Sequence, residues 1–317
     1  MNEAFASAPG KFVILGEHAV VYGKPAIAMA INRRFNISVK RNNEFKINNE
    51  AADIRASPHV RYICGMNDMI PVSVQMDSKI PTGAGLGSSA ALSVAFSAAM
   101  RALNNRSLEK AEIAKEAFEA EYFSQGRGSP MDTSASTHGY GIALNLSGKE
   151  EDLLWKINKN QHSWDISKID VPAMTFVIGN TGIRAATGPL VEKVGKYRER
   201  NRFASDIVDE IGAITVEGLN ALRSNDVVRL GGLMTKNHKL LSILGVSSNE
   251  LNKLVKASLP YSYGAKLTGA GGGGSMVALT DQPEKVCEAI TSRGGVPFVV
   301  KTGVEGVRVS EKSEKSE

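Results

Sequence analysis

The sequence predicts an α+β protein of two domains: a mixed α/β N-terminal half spanning residues 1–168, and a C-terminal half, 169–309, with a ferredoxin-like order of elements and added helices. Three observations predict this. An alternating strand, Val72 to Met76, ends just before a glycine-rich loop that opens into an unbroken helix-forming run, Ala90 to Leu103. Polar residues crowd Trp164 to Pro172 and mark a boundary. Beyond it the order reads β, helices, β, β, α, β, a split βαβ pattern with an expanded first crossover.

The elements follow in order. Ala8-Pro9-Gly10-Lys11 leads into an apolar strand, Phe12 to Leu15, which Gly16-Glu17-His18 ends. Lys11 and the Glu17-His18 pair thus sit at opposite ends of one short strand, beside glycines that often line clefts. An exposed lysine and a capping glutamate fit the same pattern. After the helix from Ala90, Ser107 is the expected cap of a second helix, Leu108 to about Ser124. Its apolar face carries Ala111, Ala114, Phe118 and Tyr122, with Glu112, Glu116 and Glu119 on the solvated side and Glu121 at the edge. Gly126 to Ser129 breaks that helix, and Ile142 to Leu146 resumes as strand. In the second half, Met174 to Ile178 is a strand. A long helical stretch follows from Pro189 to about Leu259, with breaks near Asn225 and Gly245. Strands around Lys266 and Met276, a helix from Pro283 to Arg293 and a strand from Pro297 to Lys301 complete the set. The tail at 310–317, SEKSEKSE, has the composition of a disordered segment.

Composition narrows the classes. With 42% hydrophobic and 22% charged residues, the chain has the balance of a globular protein. The net charge of +5 is mild, and Lys and Arg form no block, which argues against a nucleic-acid partner. Two distant cysteines, Cys64 and Cys287, fit a reducing compartment and no disulfide framework. No apolar run reaches membrane-spanning length and the N-terminus has no signal pattern, so the expected location is the cytoplasm.

The chemistry concentrates in PTGAGLGSSAA, Pro81 to Ala91. Pro81, Gly83, Ala84, Gly85, Leu86, Gly87, Ser88 and Ser89 form a loop with few Cβ atoms at a helix start, where backbone N–H groups and the helix dipole favour an anion. A phosphate chain is the natural ligand. A plain strand-to-helix turn needs fewer glycines. No lysine precedes the serines, so the Walker pattern fails. Gly85-x-Gly87-x-x-Ala90 and Gly269-x-Gly271-x-x-Gly274 match dinucleotide fingerprints, but neither lies between a strand and a helix that leads to a second, acidic-ended strand. Ser88 or Ser89 can offer a hydroxyl to magnesium. Glu121, turned partly inward, needs a cation, either a metal ion or a Lys or Arg partner. Asp132 reads as a helix N-cap or as a general base. A phosphate loop, Lys11, Glu121 and Asp132 would complete a phosphoryl-transfer site. The histidines lack zinc spacing, and no G-x-S-x-G is present.

Together, APGK and GEHAVVYG near the N-terminus, PTGAGLGSSAA, and KLTGAGGGGSMVAL near the C-terminus resemble the three-motif signature of the GHMP kinase superfamily, in order and across the chain. Within it, APGKFVILGEHAVVYG, NTGIRAAT (Asn180 to Thr187) and NHKLLSILGVSSNELNKL (Asn237 to Leu254) are similar to the mevalonate kinase branch, archaeal type. The galactokinase element G-R-x-N-x-x-G-E-H-x-D-Y is missing, and GRGSPMDT replaces the H-G-x-P-S-G-x-D of many mevalonate kinases. The resemblance implies the two-domain GHMP kinase fold, ATP as co-substrate, magnesium, and mevalonate as acceptor. It implies Asp132 as the base, with Lys11 beside it and the hydroxyl. Glu121 and Ser89 would hold magnesium, and Gly83 to Ser88 would wrap the triphosphate. Glu17, His18 and Thr181 would position the acceptor, and Gly269 to Gly273, with Gly271 at their centre, would shape the cleft. Phosphomevalonate or homoserine as acceptor, and a non-catalytic nucleotide-binding protein, stand as alternatives. A homodimer stays open as the assembly.

Overall fold

The computed structural model describes residues 2–81, 83–126, 128–146, 152–184 and 187–310. The first half runs β1 (Glu3–Leu15), β2 (Ala26–Arg41), β3 (Lys46–Ile47), β4 (Glu50–Ala51), α1 (Pro58–Gly65), β5 (Val72–Ser78), α2 (Ser88–Leu103), α3 (Lys110–Gln125), α4 (Met131–His138), β6 (Gly141–Leu144), β7 (Leu153–Lys159) and β8 (His162–Ile169). The second runs β9 (Thr175–Asn180), α5 (Thr187–Arg200), α6 (Arg202–Arg223), α7 (Val227–Ile243), α8 (Asn249–Ser258), β10 (Gly264–Thr268), β11 (Ser275–Leu279), α9 (Pro283–Thr291), β12 (Val296–Lys301) and β13 (Arg308–Ser310).

Two sheets organise the α+β fold. Among the described residues the first has nine strands, in the order β4-β3-β5-β2-β6-β8-β7, with β1 pairing both β2 and β13. The second has four, in the order β10-β11-β9-β12, all antiparallel. That order is the ferredoxin-like one: β11 lies between β9 and β10, which the helices α5 to α8 connect. Strand β13 returns to the first sheet and pairs Arg308–Ser310 with Phe5–Ser7. Ser310, read from sequence as the start of the tail, therefore closes a strand. Residues 311–317 lie outside the described residues.

Several boundaries differ from expectation for local reasons. β1 begins at Glu3, not Phe12, because Pro9 and Gly10 form a bulge inside the strand: the register with β2 shifts between Pro9 and Lys11. Lys11 is thus inside a long strand. Helix α3 begins at Lys110, since the Ser107 hydroxyl accepts from the Glu109 N–H two residues ahead of it (3.2 Å). The long helical stretch has an additional break at Asn201, whose side chain caps α6 by accepting from the Phe203 N–H (2.9 Å). Glu116 is not on a solvated face. It is 5% exposed, and the Arg101 guanidinium meets it at 2.8 Å. The cation arrives from α2, which the pattern of α3 alone cannot show.

Helix α2 is apolar nearly all round and packs against β1, β2, α3 and α4. Its alanines let the backbone come close to the sheet. One core continues from this layer into the second sheet, where the Phe12 and Phe176 rings lie 4.9 Å apart. No helix among the described residues is long and apolar enough to cross a membrane.

Two histidines couple this packing to pH. Burial pushes His138 down to about 4, helped by Lys110 and Lys168 and opposed by Asp170. Burial also pushes His238 down to about 4, with Lys266 acting in the same direction. Between about pH 6.5 and 4 the unfolded chain protonates these rings while the folded one does not, so stability falls as pH falls. Thermal unfolding should show Tm dropping steadily from pH 7 to pH 4.5, less so in His238→Gln. A flat or rising Tm over that range contradicts the assignment.

Candidate active site

The glycine loop has the backbone that its composition predicts. Gly83, Gly85 and Gly87 lie at φ +72°, +73° and +71°, the left-handed region that favours glycine. Between them, Ala84 and Leu86 are buried and anchor the loop. A methyl group at Gly87 would meet Lys11 Cε at 2.9 Å, so glycine there also lets the lysine stem pass. Ser88 and Ser89 open α2, and no side chain among the described residues caps that helix at Gly87. Its first-turn N–H groups are left to another acceptor, and an anion suits them. Thr82 lies outside the described residues.

Lys11 joins this loop to the reactive pair. Its backbone N–H donates to the Leu86 carbonyl (2.9 Å), and its side chain runs past Gly87. The ammonium ends 2.9 Å from Asp132 Oδ1. The lysine side chain is 4% exposed and the aspartate 47%, so the pair presents one accessible carboxylate backed by a sheltered cation. Asp132 sits in the first turn of α4, which Pro130 precedes at the N-cap position. It is not itself the cap, and the helix dipole favours its charge. Arg127, just before this turn, lies outside the described residues.

On the other side of the serines, Glu121 reaches from α3. Its Oε1 accepts from the Ser89 hydroxyl (2.5 Å) and the Ser93 hydroxyl (3.0 Å), and its Oε2 accepts from the Gln125 amide (2.7 Å). His59 Nε2, from α1, is 3.1 Å from Oε1. Burial raises the Glu121 pKa, but hydrogen bonds from His59 and Ser89, the His59 charge and Ser93 together outweigh it and hold the carboxyl below its usual value. Ser89 Oγ and Glu121 are hard oxygen donors converging on one point, which suits Mg2+ bound mainly through phosphate oxygens. No group of three His, Cys, Asp or Glu able to hold a metal alone occurs among the described residues.

The remaining candidates lie between the sheets. Glu17 is 4% exposed, and its carboxylate is taken by the buried Lys266 ammonium and by the Asn237 amide (3.1 Å). His18, at φ +61°, places Nε2 2.8 Å from the Ala270 carbonyl, and its buried Nδ1 has no partner among the described residues. Burial lowers the His18 pKa. The Thr181 hydroxyl donates to the Gly274 carbonyl (2.9 Å). At Gly271, φ +83°, a methyl group would fall 2.0 Å from the Val246 carbonyl oxygen, so this glycine permits a close backbone crossing. Ala185 and Ala186 of the Asn180 to Thr187 segment lie outside the described residues.

Contacts therefore run without a gap from Asp132 through Lys11, Gly87 and Ser89 to Glu121. The second half closes on the loop: the Arg184 Nε would lie 3.2 Å from a methyl at Gly83, and the Thr268 carbonyl 3.9 Å from one at Gly85. Thr268 also exchanges hydrogen bonds with the Val13 backbone (3.0 and 3.1 Å). Sequence reasoning missed His59, Asn237 and Lys266. For Lys266 a signal existed: a lone charge inside an apolar strand needs a buried partner. His59 sits in unremarkable helical sequence, and Asn237 opens the Asn237 to Leu254 segment with nothing beside it in sequence to show that it meets Glu17. A groove lined by Phe5, Asn36, Met76 and Arg308, between β1, β2, β5 and β13, holds none of these groups.

Comparison with known proteins follows the same outline. Residues 54–140 match the GHMP kinases N terminal domain, and residues 219–296 match the GHMP kinases C terminal domain. The mevalonate kinase of Pyrococcus horikoshii is 35% identical over 97% of this chain and 98% of its own. Among solved structures, Methanococcus jannaschii mevalonate kinase superimposes with TM-score 0.76 at 27% identity, covering 95% of this chain and 98% of that one. Leishmania major mevalonate kinase in complex with R-mevalonate superimposes with TM-score 0.82 at 24% identity, covering 95% and 96%.

Proposed function

Because the chain belongs to the GHMP kinase family, we propose that it transfers the γ-phosphoryl group of ATP to the primary hydroxyl of (R)-mevalonate. The products are 5-phosphomevalonate and ADP, a step of isoprenoid biosynthesis by the mevalonate pathway. The observation that carries the acceptor is the 35% identity to an archaeal mevalonate kinase along nearly the full length of both chains. The chemistry fits the geometry. In phosphoryl transfer the protein positions the reactants, stabilises charge and accepts one proton.

In this reading Asp132 accepts the hydroxyl proton as the oxygen bonds to phosphorus and the bond to the β-phosphate oxygen breaks. Lys11, 2.9 Å from that carboxylate, holds it in place and lowers the pKa of the incoming hydroxyl. The backbone of Gly83 to Ser88 and the start of α2 cradle the triphosphate, with Pro81 at the entrance. Ser89 and Glu121 hold Mg2+, which neutralises phosphate charge when bound. Residues 1–168 carry the nucleotide side and 169–309 complete the acceptor side. Thr181, His18 and Gly271 shape the acceptor pocket. Glu17 acts there through Lys266 and Asn237, since its own carboxylate is engaged. A non-catalytic nucleotide binder has no need to keep Lys11 and Asp132 in contact beside the loop.

An acceptor panel tests the substrate. With ATP and Mg2+, kcat/KM for mevalonate should exceed that for phosphomevalonate, homoserine and galactose by at least about two orders of magnitude, because a site built to pair buried polar groups rejects acceptors that leave them unpaired. A higher value for any other member of the panel sinks this reading of the acceptor.

A further inference from the structure

We propose that His59 is a positioning residue for the metal-holding carboxylate: its Nε2–H orients Glu121 so that Oε1 and the Ser89 hydroxyl present a joined pair of oxygen donors. This rests on the reading of Ser89 and Glu121 as the metal-holding pair. Three atoms carry the inference. Ser89 Oγ lies 2.5 Å from Glu121 Oε1, and His59 Nε2 lies 3.2 Å from the former and 3.1 Å from the latter. An ionised carboxylate can only accept, and a serine hydroxyl has a single hydrogen to give. The short Ser89–Glu121 contact uses that hydrogen. The two contacts of His59 then require a hydrogen on Nε2, which donates into the Glu121–Ser89 pair.

The placement of His59 supports orientation rather than packing. Pro58 occupies the first position of α1, so His59 leaves a turn whose backbone is pre-set. Val60, Ile63 and Cys64 bury the core face of α1, and the helix packs on α3, which carries Glu121. Glu121 Oε2 is held independently by Gln125 (2.7 Å), so both carboxylate oxygens have a fixed donor. Residues that hydrogen-bond a metal ligand set its direction, and their loss typically weakens metal affinity about 10- to 100-fold.

The test uses the full chain loaded with a non-hydrolysable ATP analogue. Mn2+ is titrated in, and free Mn2+ is read by its electron paramagnetic resonance signal. His59→Ala should weaken Mn2+ binding about tenfold or more, with Tm little changed and KM for mevalonate within a few-fold of the parent. His59→Gln, which returns an N–H at a similar reach, should recover most of the affinity. Wild-type Mn2+ affinity in His59→Ala, or no recovery in His59→Gln, overturns the proposal. Glu121→Gln separates the two levels. If it loses Mn2+ while His59→Ala keeps it, only the role of His59 fails; if Glu121→Gln also keeps Mn2+, the metal-holding reading fails and the proposal falls with it.

Discussion

Replacing Asp132 by Asn is expected to lower kcat by roughly 100- to 10,000-fold, the range general-base catalysis supplies. The change is nearly isosteric, so it removes the proton acceptor without opening a cavity. It also removes the charge that the Lys11 ammonium, with its side chain 4% exposed, meets at 2.9 Å. The lysine then has a neutral amide as its partner, and the hydroxyl loses both its acceptor and the ordered cation. Nucleotide binding should stay within a few-fold of the parent, since the glycine loop is held by the Leu86 carbonyl and by buried Ala84 and Leu86, not by Asp132. Steady-state kinetics together with titration of a non-hydrolysable ATP analogue check this. A kcat within a few-fold of the parent would falsify the assignment of Asp132 as the base.

Lys266→Met should have the largest effect on stability. Lys266 is fully buried on β10, bonded to Glu17 and to the Leu267 carbonyl (2.6 Å). Burial lowers its pKa, and Glu17 opposes that shift. Removing the ammonium leaves a carboxylate, 4% exposed, with only the Asn237 amide among the described residues. Breaking a buried pair in this way costs about 3–5 kcal/mol, a fall in Tm of roughly 5–8 °C for a chain of this size. Pairing Lys266→Met with Glu17→Gln should restore much of the loss, because the stranded charge goes with the second change. Calorimetry or thermal circular dichroism reads both. A single variant that melts within 2 °C of the parent contradicts a structural role for this pair.

Much of the fold and part of the site could be read from the chain because local rules governed them. The glycines of the phosphate loop are required by their own left-handed backbone, and Asn-free runs such as Ala90 to Leu103 report their helix directly. The ferredoxin-like order was visible because each strand of the second sheet is short, apolar and bounded by turns. Pro9 and Gly10 misled for an equally local reason: they read as a break, but a bulge absorbs them inside β1. What stayed hidden was tertiary. Glu116 looked solvated because Arg101 comes from another helix, and His59 joins Glu121 across 62 residues of sequence only after α1 packs on α3. Lys266 meets Glu17 from the other sheet. The parts that phosphoryl transfer requires brought Lys11, Glu121 and Asp132 together, but not the residues that hold them.

The most direct test of the whole account is the reaction itself. Incubating the full chain with ATP, Mg2+ and (R)-mevalonate, and following the products by 31P nuclear magnetic resonance, should show one phosphomonoester on the primary hydroxyl oxygen appearing in step with ADP. With Asp132→Asn in place of the parent, both signals should fall together. ADP appearing at the same rate without mevalonate, or a phosphoryl group on the tertiary hydroxyl, would contradict it.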